Sequence, residues 1–255
     1  MNGWIRDWTS LWDLIEQRAA ATPDARFAID EDGRSLTFAE YRDAALRSAA
    51  GFAAMGVGEG DVVSWQLPTW LEAMVLVGAL SRLGAIQNPI LPIYRDREVG
   101  FVVRQADAKV LVVTSEWRGF DYAAMARGIA ADHPSTSVVV VERGNLPEAD
   151  PATLGPVPTG ASGPFTPGVR TDAPLRWLFY TSGTTADPKG AKHTDFTVGH
   201  SGYAMVDAFQ LDADDRNALV FPFTHIGGAG WLVADRKSTR LNSSHTDISR
   251  MPSSA

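Results

Sequence analysis

The segment Tyr180-Thr181-Ser182-Gly183-Thr184-Thr185-Ala186-Asp187-Pro188-Lys189-Gly190 gathers the residue types that a polyphosphate requires. Small residues let backbone N–H groups approach an anion, the hydroxyls of Thr181, Ser182, Thr184 and Thr185 can donate hydrogen bonds, and Lys189 adds a cation. Gly183 and Gly190 are expected to free the backbone where a Cβ would hinder it, and Pro188 to stiffen the exit. The order Gly-x-x-x-x-Gly-Lys-Ser/Thr of a Walker loop is absent. A serine and threonine turn would account for a few of these residues, but not for the whole run placed directly after a strand.

A second segment, Phe221-Pro222-Phe223-Thr224-His225-Ile226-Gly227-Gly228-Ala229-Gly230-Trp231, sets His225 among aromatic residues and glycines. By residue type alone, a lone histidine beside aromatics is more often a hydrogen-bonded core residue than a catalyst. His193 and His200 have no further ligand at metal spacing, so no metal held by protein side chains is expected. Asp212, Asp214 and Asp215 lack the order of a calcium loop and read as a solvated turn.

Alternating strands and helices must position these segments. Thr37 and Glu40 form a capping box before an apolar stripe through Tyr41, Ala45, Phe52 and Met55, which predicts a helix over 38–55 ending at Gly56. A strand over 61–67 follows, and Thr69 with Glu72 reads as a second capping box for a helix over 70–83. The unit recurs as a strand at 85–91, a helix at 96–106, a strand at 109–114, a helix at 122–131 and a strand at 137–141. Continuous apolar strands alternating with amphipathic helices predict an α/β fold, with a mainly parallel sheet covered by helices on both faces.

From Gly144 to Pro174 the pattern stops, and seven prolines and five glycines predict a long surface connection between two blocks. The chain therefore divides into a first α/β unit over 1–143, a connection over 144–174 and a second unit over 175–236. That second unit has a strand at 175–180, a helix at 196–209 and a strand at 217–221. Residues 237–255 are serine-rich without periodicity, and Lys-Ser-Thr-Arg-Leu-Asn-Ser-Ser-His resembles translated adapter or vector sequence, so a tail foreign to the protein is expected there.

Composition narrows the partners. The 30 acidic against 23 basic side chains leave no positive field for nucleic acid or anionic lipid. The absence of cysteine excludes disulfides and thiolate chemistry, and a cytoplasmic location is the default. Residues 1–20 interleave Arg6, Asp7, Asp13, Glu16 and Arg18 with apolar positions and read as an amphipathic helix rather than a signal peptide. No apolar run approaches the length of a membrane span. Oligomeric state is not legible.

The loop at 180–190 resembles the phosphate loop of the adenylate-forming (AMP-binding) superfamily, which includes acyl-CoA synthetases, luciferases and amino-acid-activating domains. Ala186 departs from the glycine common there. The blocks Leu67-Pro68-Thr69-Trp70-Leu71-Glu72, Ser81-Arg82-Leu83-Gly84-Ala85, Asn88-Pro89 and Tyr94-Arg95-Asp96-Arg97-Glu98 are similar to the family's N-terminal blocks, and the likeness runs over about 8–236. It implies an incomplete N-terminal domain of the ligase fold and a carboxylate-CoA ligase that uses ATP, Mg2+ and coenzyme A on a small carboxylic acid. Thr181, Ser182, Gly183, Thr184, Thr185 and Lys189 would hold the phosphates, with Lys189 and His225 taking part in catalysis. His225, Gly227 and Gly228 would border the carboxylate and leave room for the acyl chain. The family's later elements have no counterpart before Arg236, so an inactive ATP- or acyl-binding fragment or a gene-model artefact stays open. So does an amino-acid-activating domain, although relatives of that kind place an aspartate near position 225.

Overall fold

The computed structural model describes residues 7–163, 172–181, 187–211, 217–219 and 221–234, with the backbone of 241–242. Its centre is a six-stranded sheet in the order β10, β9, β4, β3, β5, β8, built from β3 (Val62–Gln66), β4 (Ile86–Pro89), β5 (Val110–Val113), β8 (Ser137–Val140), β9 (Trp177–Tyr180) and β10 (Gly190–His193). All neighbours are parallel except β9 and β10. Alternate residues of β5 serve opposite faces. Val110 and Val112 join Trp65, Phe52 and Met74 in one apolar cluster, whereas Leu111 and Val113 join Val99, Val103, Tyr122 and Met125 in another. The first face carries α2 (Phe38–Ala54) and α3 (Leu71–Leu83), the second α4 (Asp96–Gln105) and α5 (Tyr122–Asp132).

The helix starts follow from side-chain chemistry, with one correction. At α2 the predicted box forms: Glu40 N–H donates to Thr37 Oγ1 at 3.2 Å and Thr37 N–H to Glu40 Oε2 at 2.8 Å. At α3 it does not. Trp70 is the N-cap without a side-chain bond, because Thr69 and Glu72 are used elsewhere. Thr69 Oγ1 accepts the N–H of Phe223 at 3.2 Å, and buried Glu72 takes Arg34 Nη1 and the N–H of Gly144, each at 2.7 Å. Every residue of α3 is buried, so tertiary partners can replace a local cap. Arg34 also binds Asp30 at 2.7 Å, and these carboxylates hold its guanidinium pKa above the ordinary value.

The N-terminal helix is shorter than predicted. It is α1 (Leu11–Ala21), with Ser10 Oγ accepting from Asp13 N–H. Two strands escaped the sequence reading, β1 (Arg26–Ile29) and β2 (Ser35–Thr37), which pair as a hairpin; β6 (Glu116–Trp117) and β7 (Phe120–Asp121) form another. The strand expected at 217–221 is only β11 (Asn217–Ala218), and it lies outside the six-stranded sheet. It pairs with β12 (Leu241–Asn242), which also pairs with β1. These two residues are the described part of the presumed tail, the rest of which, like Asp212, Asp214 and Asp215, lies outside the described residues.

The proline-rich connection is docked along the first helical layer. Pro147 lies so close to Gly51 of α2 that a Cβ there would sit 2.4 Å from the Pro147 carbonyl carbon. Arg82 Nη2 donates to Gly155 O at 2.6 Å, and Ala161 N–H donates to Thr9 O at 2.9 Å. A short 3-10 turn, Pro151–Thr153, is the one helical element among the described residues of the connection. Beyond the connection, β9 adds to the same sheet beside β4, with Gln87 N–H donating to Arg176 O at 2.8 Å, so both predicted units share one sheet. Helices α6 (Asp195–Phe209) and α7 (Ile226–Ala234) pack through glycines: a Cβ on Gly202 would meet Gly230 O at 2.6 Å. Asp195 ties this pair inward, accepting Trp177 Nε1 and Leu11 N–H, each at 2.8 Å. None of the described helices is long and apolar enough to cross a membrane.

Gly51→Ala should destabilise the protein by about 1–3 kcal/mol, since backbone rather than a flexible side chain occupies the Cβ position. Thermal unfolding beside the wild type measures it, and an unchanged midpoint would show that the connection is not docked there.

Candidate functional site

The run 181–189 joins two antiparallel strands, a hairpin that the sequence reading did not foresee. Thr181 N–H donates to Lys189 O at 3.0 Å and closes its base. Gly190 pairs with Tyr180 across the hairpin, and a Cβ on it would lie 2.9 Å from Tyr180 Cζ. A side chain at Gly190 would therefore press on the end of the Tyr180 ring, and Gly190 is not among the glycines of positive φ. Thr181 and Lys189 are exposed, and the Lys189 ammonium has no ion-pair partner among the described residues. An uncompensated cation at a hairpin mouth suits a ligand that brings negative charge. Ser182, Gly183, Thr184 and Thr185 lie outside the described residues.

Beside the hairpin, at the carboxyl ends of β4 and β9, is a cavity of about 380 Å3. Its apolar wall comes from Pro89, Ile90, Leu91, Val102, Phe179 and Ala191, and Ile226 adds to it. Its polar groups belong to Tyr94, Tyr180, Thr181, His193, Thr224 and His225. Thr181 thus belongs both to the hairpin base and to the cavity wall. Burial pushes the Tyr180 phenol above its ordinary pKa.

His225 enters this wall from the turn that starts α7. Its backbone N–H donates to Pro222 O at 2.9 Å, and its carbonyl accepts Ala229 N–H at 3.1 Å. The Gly227 N–H donates to His225 Nδ1 at 3.1 Å, so the neutral ring carries its proton on Nε2. The imidazole is exposed, unlike the buried core histidine that residue type alone favours. Gly228 has a packing reason for being glycine: a Cβ would lie 2.6 Å from Pro222 O. The turn before α7 gives Thr224 and His225 to the cavity, and α7 itself gives Ile226. Buried Thr69 holds this turn through Phe223, whose ring lies 5.8 Å from that of Trp65.

The sequence reading missed Tyr94, Tyr180, His193 and Thr224 as cavity residues. A signal existed for His193, which stands two residues after Ala191 on β10 and so shares its face. His193 Nδ1 and the Thr197 hydroxyl share a hydrogen bond of 3.2 Å, and the same hydroxyl lies 3.0 Å from Thr194 O. The ring also meets Phe179 edge-on at 5.6 Å, and burial lowers its pKa. No group of three His, Cys, Asp or Glu able to hold a metal occurs among the described residues.

The sequence profile described as "AMP-binding enzyme" matches residues 15–234. Salicyl-AMP ligase / salicyl-S-ArCP synthetase of Mycobacterium tuberculosis is 32% identical over 216 residues, covering 83% of this chain and 38% of that protein. Medium-chain fatty-acid–CoA ligase of Escherichia coli is 26% identical over 219 residues, covering 86% of this chain and 39% of that protein. The chain thus spans about two fifths of the length of these curated relatives. Among solved structures, the N-terminal domain of FACL13 from Mycobacterium tuberculosis superposes with a TM-score of 0.79 at 22% identity, over 94% of this chain and 58% of that one. MbtA of Mycobacterium smegmatis gives 0.72 at 28% identity, over 94% and 44%.

The lowered pKa of His193 links stability to pH. Below the ordinary histidine value of 6.5 the unfolded chain takes up a proton that the folded chain refuses, so stability is full above 6.5 and is lost as pH falls toward the lowered folded value. The thermal midpoint of the wild type should therefore fall more between about pH 7 and about pH 5 than that of His193→Gln. Parallel curves for the two would remove His193 as a source of that dependence.

Proposed function

Because this chain belongs to the AMP-binding, adenylate-forming superfamily, we propose that it serves an ATP-dependent carboxylate-CoA ligase, which joins a carboxylic acid to AMP and then transfers the acyl group to coenzyme A. The observation that carries this reading is Thr181, which closes the hairpin against Lys189 and also lines the cavity that His225 enters. An anion-binding mouth and an acid-sized apolar cavity thus share a wall. Relatives named as CoA ligases support coenzyme A as acceptor. The likeness to salicyl-AMP ligase supports the same first step with a different acceptor.

ATP supplies the leaving pyrophosphate, and magnesium would arrive with its phosphates. Lys189 and the Thr181 hydroxyl would bind the phosphate oxygens, together with Ser182, Gly183, Thr184 and Thr185. Their task is to hold charge in place as the acid's oxygen attacks, which is positioning and electrostatics rather than proton transfer. His225 would border the carboxylate with its Nε2–H as donor, a geometry that the Gly227 N–H sets from the other side of the ring. Gly228 would serve that region by letting the turn at Pro222 and Phe223 pack against α7, and Gly227 by leaving room beside the His225 ring, whose Nδ1 would lie 3.2 Å from a Cβ there. The medium is the cytoplasm, consistent with a chain free of cysteine.

The test is ATP–pyrophosphate exchange with a panel of carboxylic acids, using a form that includes the portion found in the relatives and lacking here. Lys189→Ala should lower exchange by about a hundredfold or more with little change in thermal midpoint, since it removes one charge from an exposed position. Unchanged exchange would take Lys189 out of the site. His225→Ala should reduce acid use or thioester formation more than ATP affinity. Equal loss of ATP binding and of both half-reactions would make His225 structural.

A further inference from the structure

Strand β10 gives the cavity one polar side chain, His193, and the proposed reaction assigns it no task. Tyr94 and Thr224 offer the cavity little but carbon, since their hydroxyl oxygens are closed off, each with less than 1 Å2 of accessible surface. His193 differs from them. Its Nε2 makes no hydrogen bond among the described residues, yet it is not one of the closed-off atoms, so it opens onto accessible space. Ala191 and His193, two apart on β10, both line the cavity, whereas Lys192 between them does not. Strand alternation therefore turns the imidazole, and not merely the backbone, toward the cavity.

The ring is held in place before any ligand arrives. Nδ1 shares a hydrogen bond of 3.2 Å with the Thr197 hydroxyl, and Phe179 meets the ring edge-on at 5.6 Å between centroids. Thr197 is itself fixed in the capping box of α6, where its oxygen accepts Thr194 N–H at 3.0 Å. A bond at one ring nitrogen sets where the other points. A preorganised polar group in an otherwise apolar wall is how such cavities orient a ligand and choose among ligands of similar shape.

The position of His193 says which part of a ligand it meets. Gly190 pairs with Tyr180 at the hairpin mouth, and His193 pairs with Trp177, three residues further along the strands, or about 10 Å deeper. The Tyr180 phenol is open in the same way, but it belongs to the mouth, where Thr181 also lies. No Lys, Arg, Asp or Glu is among the described residues lining the cavity, so a charged substituent at that depth would lack a counter-ion. Burial also lowers the pKa of His193, which keeps the imidazole neutral at neutral pH. A hydroxyl suits a neutral imidazole in either tautomer, since it both donates and accepts.

We propose that His193 is a specificity-determining residue, whose Nε2 hydrogen-bonds an uncharged polar group, such as a hydroxyl, at the end of the acid remote from its carboxylate. The proposal rests on the reading of this cavity as the acid-binding site, with the carboxylate at the end formed by Thr181 and His225.

The test is an NMR titration of the 255-residue chain at neutral pH with benzoate, 2-hydroxybenzoate and 4-hydroxybenzoate. The 4-hydroxy acid should bind about tenfold or more tightly than either of the others, because only its hydroxyl lies opposite the carboxylate. The Hε1 resonance of His193, assigned by its absence from His193→Gln, should shift more with the 4-hydroxy acid than with benzoate. His193→Phe keeps a ring but removes both nitrogens, and it should reduce the preference by about tenfold. A purely structural histidine would leave that ratio where it was. Benzoate or 2-hydroxybenzoate binding as tightly as 4-hydroxybenzoate, or a preference that survives in His193→Phe, would overturn the proposal and leave the carboxylate reading intact. No saturable binding of any acid would overturn both. If His193→Phe fails to fold, the wild-type ratio and the Hε1 shift decide.

Discussion

Parallel pairing delivers β3, β4 and β9 to one edge of the sheet, and the arrangement of the candidate site depends on that constraint. The chain leaves β3 toward Thr69, leaves β4 into the loop bearing Tyr94, and leaves β9 into the hairpin that ends at Lys189. Residues more than a hundred positions apart in sequence are thereby brought to a common wall. Crevices at the carboxyl ends of parallel strands are where open α/β sheets bind ligands. Here β4 lies on one side of β3 and β5 on the other, so the order of connection reverses at β3.

A single buried hydrogen bond extends this edge to the last helix. Phe223 N–H, given to Thr69 Oγ1, fixes the turn from which Thr224 and His225 reach the cavity. The arrangement needs Thr69 free of any capping duty, and α3 can dispense with that cap because its whole length is buried. Glu72, freed in the same way, binds Arg34 and the Gly144 N–H, so the start of α3 also secures the β1–β2 turn and the head of the proline-rich connection. Local helix chemistry has been exchanged for long-range order at the place where the site is assembled.

The connection itself has a stabilising role. Pro147, Gly155 and Ala161 find backbone or side-chain partners on α2, α3 and the segment before α1. Proline lowers the entropy lost when such a strap is ordered, which suits an irregular segment that must lie down without a ladder. By holding the first helical layer it supports the face of the sheet opposite α4 and α5.

The sequence by itself determined the repeating strand and helix units, the parallel sheet with helices on both faces and the capping box of α2. These are local properties: periodicity, hydroxyl spacing and turn chemistry act within a few residues. Only the tertiary structure decided that Thr69 and Glu72 abandon their predicted box, because a buried Phe223 N–H and a buried guanidinium compete for the same side chains. It likewise decided that Gly190 lies against the Tyr180 ring and Gly228 against the Pro222 carbonyl, contacts between segments whose approach no local pattern records. The hairpin around 181–189 and the cavity residues Tyr94, His193 and Thr224 belong to the same class. Their roles arise from strand pairing and from convergence at one sheet edge, which depend on distance in space rather than distance along the chain.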